Sequence, residues 1–242
     1  MRGSILVLTI AVALTACKQQ DASQPASAAA GANNNVTATE NPPAPAPEKY
    51  ATAKSWDGPL GLKKGLSRAE LEKVIPLEPG KSMSYISKTA PMPYEKFILY
   101  RYLISDTHGL CSVRALTSDI ETNVFGTGLK DAFNQISEPL SEKYGKATFS
   151  TDYVRKGSLW TSGEDWMIGL MKGDRELSQT WFAKTGSDRN APVPANLPPG
   201  LENISLEAQA NSMDKGFVMI EYAFDNNDQC IDEVRKLQNR PL

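Results

Sequence analysis

From Lys18 to Lys49 the chain offers one bulky aliphatic side chain, Val36, and no aromatic one. Pro25, Pro42, Pro43, Pro45 and Pro47 share that stretch with Ala, Asn, Gln and Ser. A segment so poor in apolar surface cannot offset the entropy lost on ordering, so it reads as a disordered tether. Its Asn41 to Pro47 portion should run extended and fairly stiff, and the whole spans about 30 Å on average. Whatever packs into a core therefore lies downstream, from about Trp56 to the C-terminus, with ample chain for one domain.

Upstream of the tether, Met1-Arg2 is a short basic start and Ile5 to Leu14 is an almost purely apolar run. About ten to twelve apolar residues fall short of the roughly 20 that span a bilayer, and suit a secretory signal. Leu14-Thr15-Ala16-Cys17 resembles the lipobox of bacterial lipoproteins. That resemblance implies diacylation of the Cys17 sulfur, cleavage after Ala16, and acylation of the new terminal nitrogen. A plain secretory signal with an incidental cysteine is the competing reading. Lys18, not Asp, follows the cysteine. Under the sorting rule of enterobacterial lipoproteins this implies the outer membrane, with the chain facing the periplasm. Several acyl chains, at about 0.8 kcal/mol per buried methylene, would hold it there stably. The expected map is a signal peptide over 1–16, lipidated Cys17 and tether over 17–49, and a single folded domain over 50–242.

Charge and motif content then exclude several function classes. The 242 residues carry 26 basic and 28 acidic side chains; loss of Arg2 with the signal leaves 25 against 28, a net −3. With a pI near 5.6 this is no footprint for nucleic acid. The single histidine, His108, cannot supply a His-rich metal site or a two-histidine catalytic pair. Gly65-Leu66-Ser67-Arg68-Ala69 looks like a degraded nucleophile elbow, but it lacks the long buried strand and the His–acid pair. Asp225-Asn226-Asn227-Asp228 has a calcium-like composition without the EF-hand's Gly and terminal Glu, and reads as a helix cap. Ser212-Met213-Asp214-Lys215 matches S-x-x-K only within a turn. No catalytic residue, cofactor or metal is expected, and an enzyme would have to work through carboxylates alone.

The apolar periods define an α+β chain. Ser67 and Glu70 form a capping box with Leu66 and Leu71 as its staple, opening a helix over 68–75 that Pro76 ends. Tyr85 to Ser87 is a weak strand. Phe97 to Ile104 is a strong one, with Ile98, Tyr100, Tyr102 and Ile104 on one face. Asp106 to Gly109 makes a hairpin loop that leaves His108 at an exposed turn, and Leu110 to Thr117 returns. Leu129, Phe133, Ile136, Leu140 and Tyr144 hold one face of a helix from Thr127 to Tyr144, kinked at Pro139 and stopped by Gly145. Asp165 to Met171 fits a short helix after Ser162, but a hairpin with Leu177 to Phe182 is preferred. Lys184 to Asn203, with Pro192, Pro194, Pro198 and Pro199, reads as a mobile surface loop or a partner-contacting one. Leu206, Ala208 and Ala210 mark a half-exposed strand, and Val218, Ile220, Tyr222 and Phe224 mark its return. A last helix carries Ile231, Val234 and Leu237 inward.

With Cys17 assigned to lipid, an even remainder of two cysteines, Cys111 and Cys230, reads as one disulfide in an oxidising compartment, against two buried free thiols. The helix start Gly61-Leu62-Lys63-Lys64-Gly65-Leu66-Ser67-Arg68-Ala69-Glu70-Leu71 is similar to that of the SmpA/OmlA (BamE-like) family of small outer-membrane lipoproteins. The β-lactamase inhibitory proteins have a related fold. The resemblance implies an antiparallel sheet with helices packed on one face. It allows two tandem helix-plus-meander units, at about 56–125 and 126–242. It carries over no partner-binding residue. The expected role is a non-catalytic binding or scaffold lipoprotein, tied to the membrane through Cys17 and engaging an envelope protein. The alternative is an inhibitor of a secreted lysozyme, protease or β-lactamase. Its contact surface would be the Pro-rich loop at Arg189, Pro192 and Pro194 together with the aromatic face of the sheet.

Overall fold

The computed structural model describes residues 55–186 and 191–239. Cys17, the signal, the tether and Arg189 lie outside the described residues. Helices α1 (Arg68–Leu71), α2 (Thr127–Tyr144), α3 (Trp166–Met171) and α4 (Asn227–Gln238) accompany nine strands. The strands are β1 (Glu78–Pro79), β2 (Ser84–Ser87), β3 (Phe97–Ser105), β4 (Gly109–Thr117), β5 (Ile120–Glu121), β6 (Phe149–Val154), β7 (Arg175–Phe182), β8 (Leu201–Ala210) and β9 (Lys215–Phe224). They make one antiparallel sheet in the order β1-β2-β3-β4-β9-β8-β7-β6, with β5 also paired to β9. Two meanders thus meet through their last strands, β4 and β9, in a single sheet.

The capping box at α1 is complete. Ser67 Oγ accepts from the Glu70 amide at 3.3 Å, and Glu70 Oε2 accepts from the Ser67 amide at 2.9 Å. The α-helix itself stops at Leu71, earlier than the 68–75 span the sequence predicts. Val74 and Ile75 continue as turns on the Leu71 carbonyl and stay buried. Pro76 removes the donor a longer helix would need. Helix α2 has the predicted bounds and buries the predicted face, with Pro139 inside an unbroken helix.

Four further expectations need correction. Ile98 was expected in the core, yet a register irregularity between Phe97 and Leu99 turns it out, 55 % exposed, and buries Phe97 in its place. A bulge shifts the alternation by one residue, so the phase read from Tyr100 does not extend back through it. Asp165 to Met171 is not a hairpin strand. Asp165 Oδ2 accepts from the Ser162 hydroxyl at 2.7 Å and its amide at 3.2 Å, which starts α3, and Trp166, Met167 and Leu170 bury one helical face. The partner of β7 is β6 instead. In α4, Ile231 and Val234 are half-buried and Leu237 is exposed; Cys230 is its one buried residue among those described. The Asn226 side chain does not cap that helix. Its amide donates to the carbonyls of His108 at 3.0 Å and Leu110 at 3.2 Å, across to the β3–β4 hairpin.

Helices α1 to α3 share one core with the inner face of the sheet: Leu71, Phe133, Ile136 and Met167 join Tyr100, Tyr102, Val113, Ile204 and Ile220. This is the expected sheet with helices over one face. Helix α4 attaches elsewhere. Ser105, which follows core-facing Ile104, donates to Glu233 Oε2 at 2.5 Å, and Cys111 meets Cys230 with Cα atoms 6.4 Å apart. Ser112 and Ala223, register partners on the reverse face, are buried there. Those contacts put α4 over that end of the reverse face. The adjacent turn requires Gly109, whose φ is +67°. A Cβ there would collide with the Gly65 carbonyl, because Gly65 and Leu66 pair with Leu110.

Candidate functional site

Beyond the corner held by α4, no described helix contacts the reverse face of the sheet through the core. Its side chains are the out-of-phase partners of the core residues, and the register lines them up in rows. One row runs Ile86, Arg101, Arg114, Glu221, Ser205, Thr180 and Phe149 across six strand pairings. The next runs Leu99, Leu116, Met219, Glu207 and Ser178. Leu99, Leu116 and Met219 are half-buried, a shallow apolar patch in the middle of the sheet.

Charge on this face is partly neutralised in place. Arg114 Nη2 donates to Glu221 Oε2 at 2.6 Å across β4 and β9, while Arg114 Nε is buried with no partner among the described residues. Arg101 is exposed beside it. At the β6 edge the face becomes aromatic. Phe149, 51 % exposed, meets Phe182 edge-on with centroids 5.9 Å apart, and Tyr153 is 50 % exposed. Aromatic rings, Met and Arg around a modest apolar centre are the composition that protein interfaces favour.

The predicted site residues fall in three places. Cys111 and Cys230 lie at disulfide distance and link β4 to α4. Pro192 and Pro194 belong to the segment that leads into β8, which is held to the body rather than free. Ala195 N donates to the Phe182 carbonyl at 2.8 Å, Asn196 N to Tyr144 at 2.9 Å, and Thr185 Oγ1 to Pro192 at 2.7 Å. These bonds set the Pro-rich segment at the same corner as Phe182 and Phe149. His108 is exposed in the β3–β4 turn, as expected. No group of three His, Cys, Asp or Glu side chains among the described residues is placed to hold a metal.

Comparison with protein-family profiles, with curated proteins and with solved structures returned no match. The site is therefore defined by its own geometry. The sequence reading marked the Pro-rich loop and an aromatic sheet face but missed the central row. Its signal was present in the alternate positions of β3, β4 and β9, where Leu99, Leu116 and Met219 break the polar-out pattern of a solvated face.

Proposed function

We propose that this chain is a non-catalytic envelope lipoprotein that binds a folded protein partner through the reverse face of its sheet. The observation that carries the reading is the row of Arg101, Arg114 and Glu221 beside Leu99, Leu116 and Met219, left open by α1 to α3. The N-terminal features support the location. The lipobox-like Leu14 to Cys17, with Lys18 after it, fits anchoring in the outer membrane facing the periplasm. The helix start Gly61 to Leu71, similar to that of SmpA/OmlA (BamE-like) proteins, agrees with that address.

A second reading, an inhibitor of a secreted hydrolase, is favoured by the corner where Pro192 and Pro194 adjoin Phe149 and Phe182. A segment pinned by hydrogen bonds beside exposed rings is what insertion into an enzyme cleft requires. The two readings separate on where a partner touches. A photocrosslinking residue in place of Leu116 or Arg101 should capture one discrete envelope protein in intact cells, and one at exposed Asp131 on α2 should capture none. Equal yields from both positions would discard the docking face. Capture from Phe149 alone, together with stoichiometric inhibition of a lysozyme, protease or β-lactamase, would replace the first reading by the second. In the same cells Cys17→Ser should move the protein from the membrane pellet to the soluble fraction, by western blot. Unchanged sedimentation with the membrane would remove lipidation from the account.

A further inference from the structure

A second feature lies on the other side of the molecule, away from the docking face. A cavity of about 280 Å³ opens between the 3-10 turn Pro59–Gly61, the Met92 to Tyr94 loop and the last two turns of α2. The two loops are joined by Met92 N donating to the Leu60 carbonyl at 2.9 Å, and β9 contributes Tyr222 to the lining. Its size lies just below the roughly 300–1,000 Å³ of ordinary ligand pockets, so the occupant must be small. Ile136, Leu140 and Phe97 make the wall apolar.

Three features select the chemistry. Tyr222 and Tyr144 line the cavity at 7 % and 4 % exposure. A phenol that lines a cavity can donate to a ligand held there. Burial pushes Tyr222 well above the usual phenol range, so it stays protonated and can donate. Lys143 is the one charged residue among the described lining residues, at the ring of Tyr144 with 5.2 Å from ammonium to centroid. Donors and a cation around an apolar wall complement an anion and oppose an ammonium ligand.

We propose that this cavity binds a small monocarboxylate with an apolar body, its hydrocarbon against Ile136, Leu140 and Phe97 and its carboxylate at the Tyr222 hydroxyl and the Lys143 ammonium. The site is independent of what docks on the reverse face of the sheet. It is tested on the full chain carrying Cys17→Ser, which keeps every described residue and carries no acyl chain. Protein-observed NMR of the tyrosine rings follows titration with octanoate, 4-phenylbutyrate, 1-octanol and octylamine. Octanoate or 4-phenylbutyrate should shift Tyr144 and Tyr222 and bind at least tenfold tighter than octylamine; the tighter of the two identifies the body as acyl or aromatic. Lys143→Met and Tyr222→Phe, which preserve shape, should each weaken carboxylate binding about tenfold and leave 1-octanol unchanged. The proposal fails if neither carboxylate shifts these rings at millimolar concentration. It fails equally if octylamine binds as well, or if folded Lys143→Met and Tyr222→Phe proteins bind octanoate like the parent.

Discussion

Trp181→Ala will destabilise the domain by about 4–5 kcal/mol, the largest loss we expect from any single substitution in the sheet. The indole is fully buried on β7, opposite Ile204 of β8 in the register. Removing a buried Trp side chain costs about 3–5 kcal/mol through lost burial and the cavity left behind. The indole is also a hydrogen-bond donor. Its Nε1 donates to the Gly145 carbonyl at 2.8 Å, just past the end of α2, so one side chain closes that helix against the sheet. Leaving that carbonyl without its partner adds about 1 kcal/mol or more. Against a typical total of about 5–15 kcal/mol, this is a large share of the fold's stability. Urea denaturation read by linear extrapolation measures it, and Trp181→Phe separates the two contributions. Phe keeps most of the apolar volume and loses the donor, so it should cost about half as much or less. A loss below about 2 kcal/mol for Trp181→Ala would mean that β7 and α2 are held together by something else.

Removing the Cys111–Cys230 link will act differently, with a local effect larger than its global one. The two residues are 119 apart in sequence, and chain-entropy arithmetic for a loop that long gives up to about 5 kcal/mol, with 2–4 kcal/mol usual in practice. The local effect follows from the packing of α4. Cys230 is its one buried residue among those described, and its other ties include the Ser105–Glu233 and Thr107–Glu233 hydrogen bonds and the Asn226 amide at its start. A helix of 12 residues without a buried face is marginal in water. Cys111→Ala with Cys230→Ala should therefore lower the unfolding midpoint and strip hydrogen-exchange protection from α4 before any strand opens. The reverse face at Ser112 and Ala223 would then be uncovered, lengthening the open surface towards the β3–β4 turn. Protection of the α4 amides equal to that of the parent would show that the link is not what holds the helix.

Where local physics decides, the sequence was legible. The Ser67–Glu70 capping box, the bounds of α2 and the alternating faces of β8 and β9 all follow from short-range periods and caps. Each residue there sees its partners within a turn or along one strand. The failures have a common cause. Ile98 turned outward because a bulge broke the alternation. Asp165 to Met171 became helix because Trp166 and Met167 found a core supplied by α2 and the sheet. Asn226 left its cap because the β3–β4 hairpin offered it two carbonyls.

The candidate site shows the same division more sharply. Each member of the row Arg101, Arg114, Glu221 could be recognised as an out-of-phase polar residue on its own strand. That they form one row required β4 to pair with β9, residues more than a hundred apart in sequence. The tyrosine-lined cavity is further removed still, since it gathers residues from Gly58 to Tyr222. The sequence by itself determined the apolar-poor leader stretch, the cysteine parity, the charge balance and the elements with a clear period. Those depend on composition and on neighbours a few residues away. The tertiary structure alone decided which strands share an edge, which face stays open and which tyrosines line one cavity. Such facts depend on register and long-range packing, which no local pattern encodes.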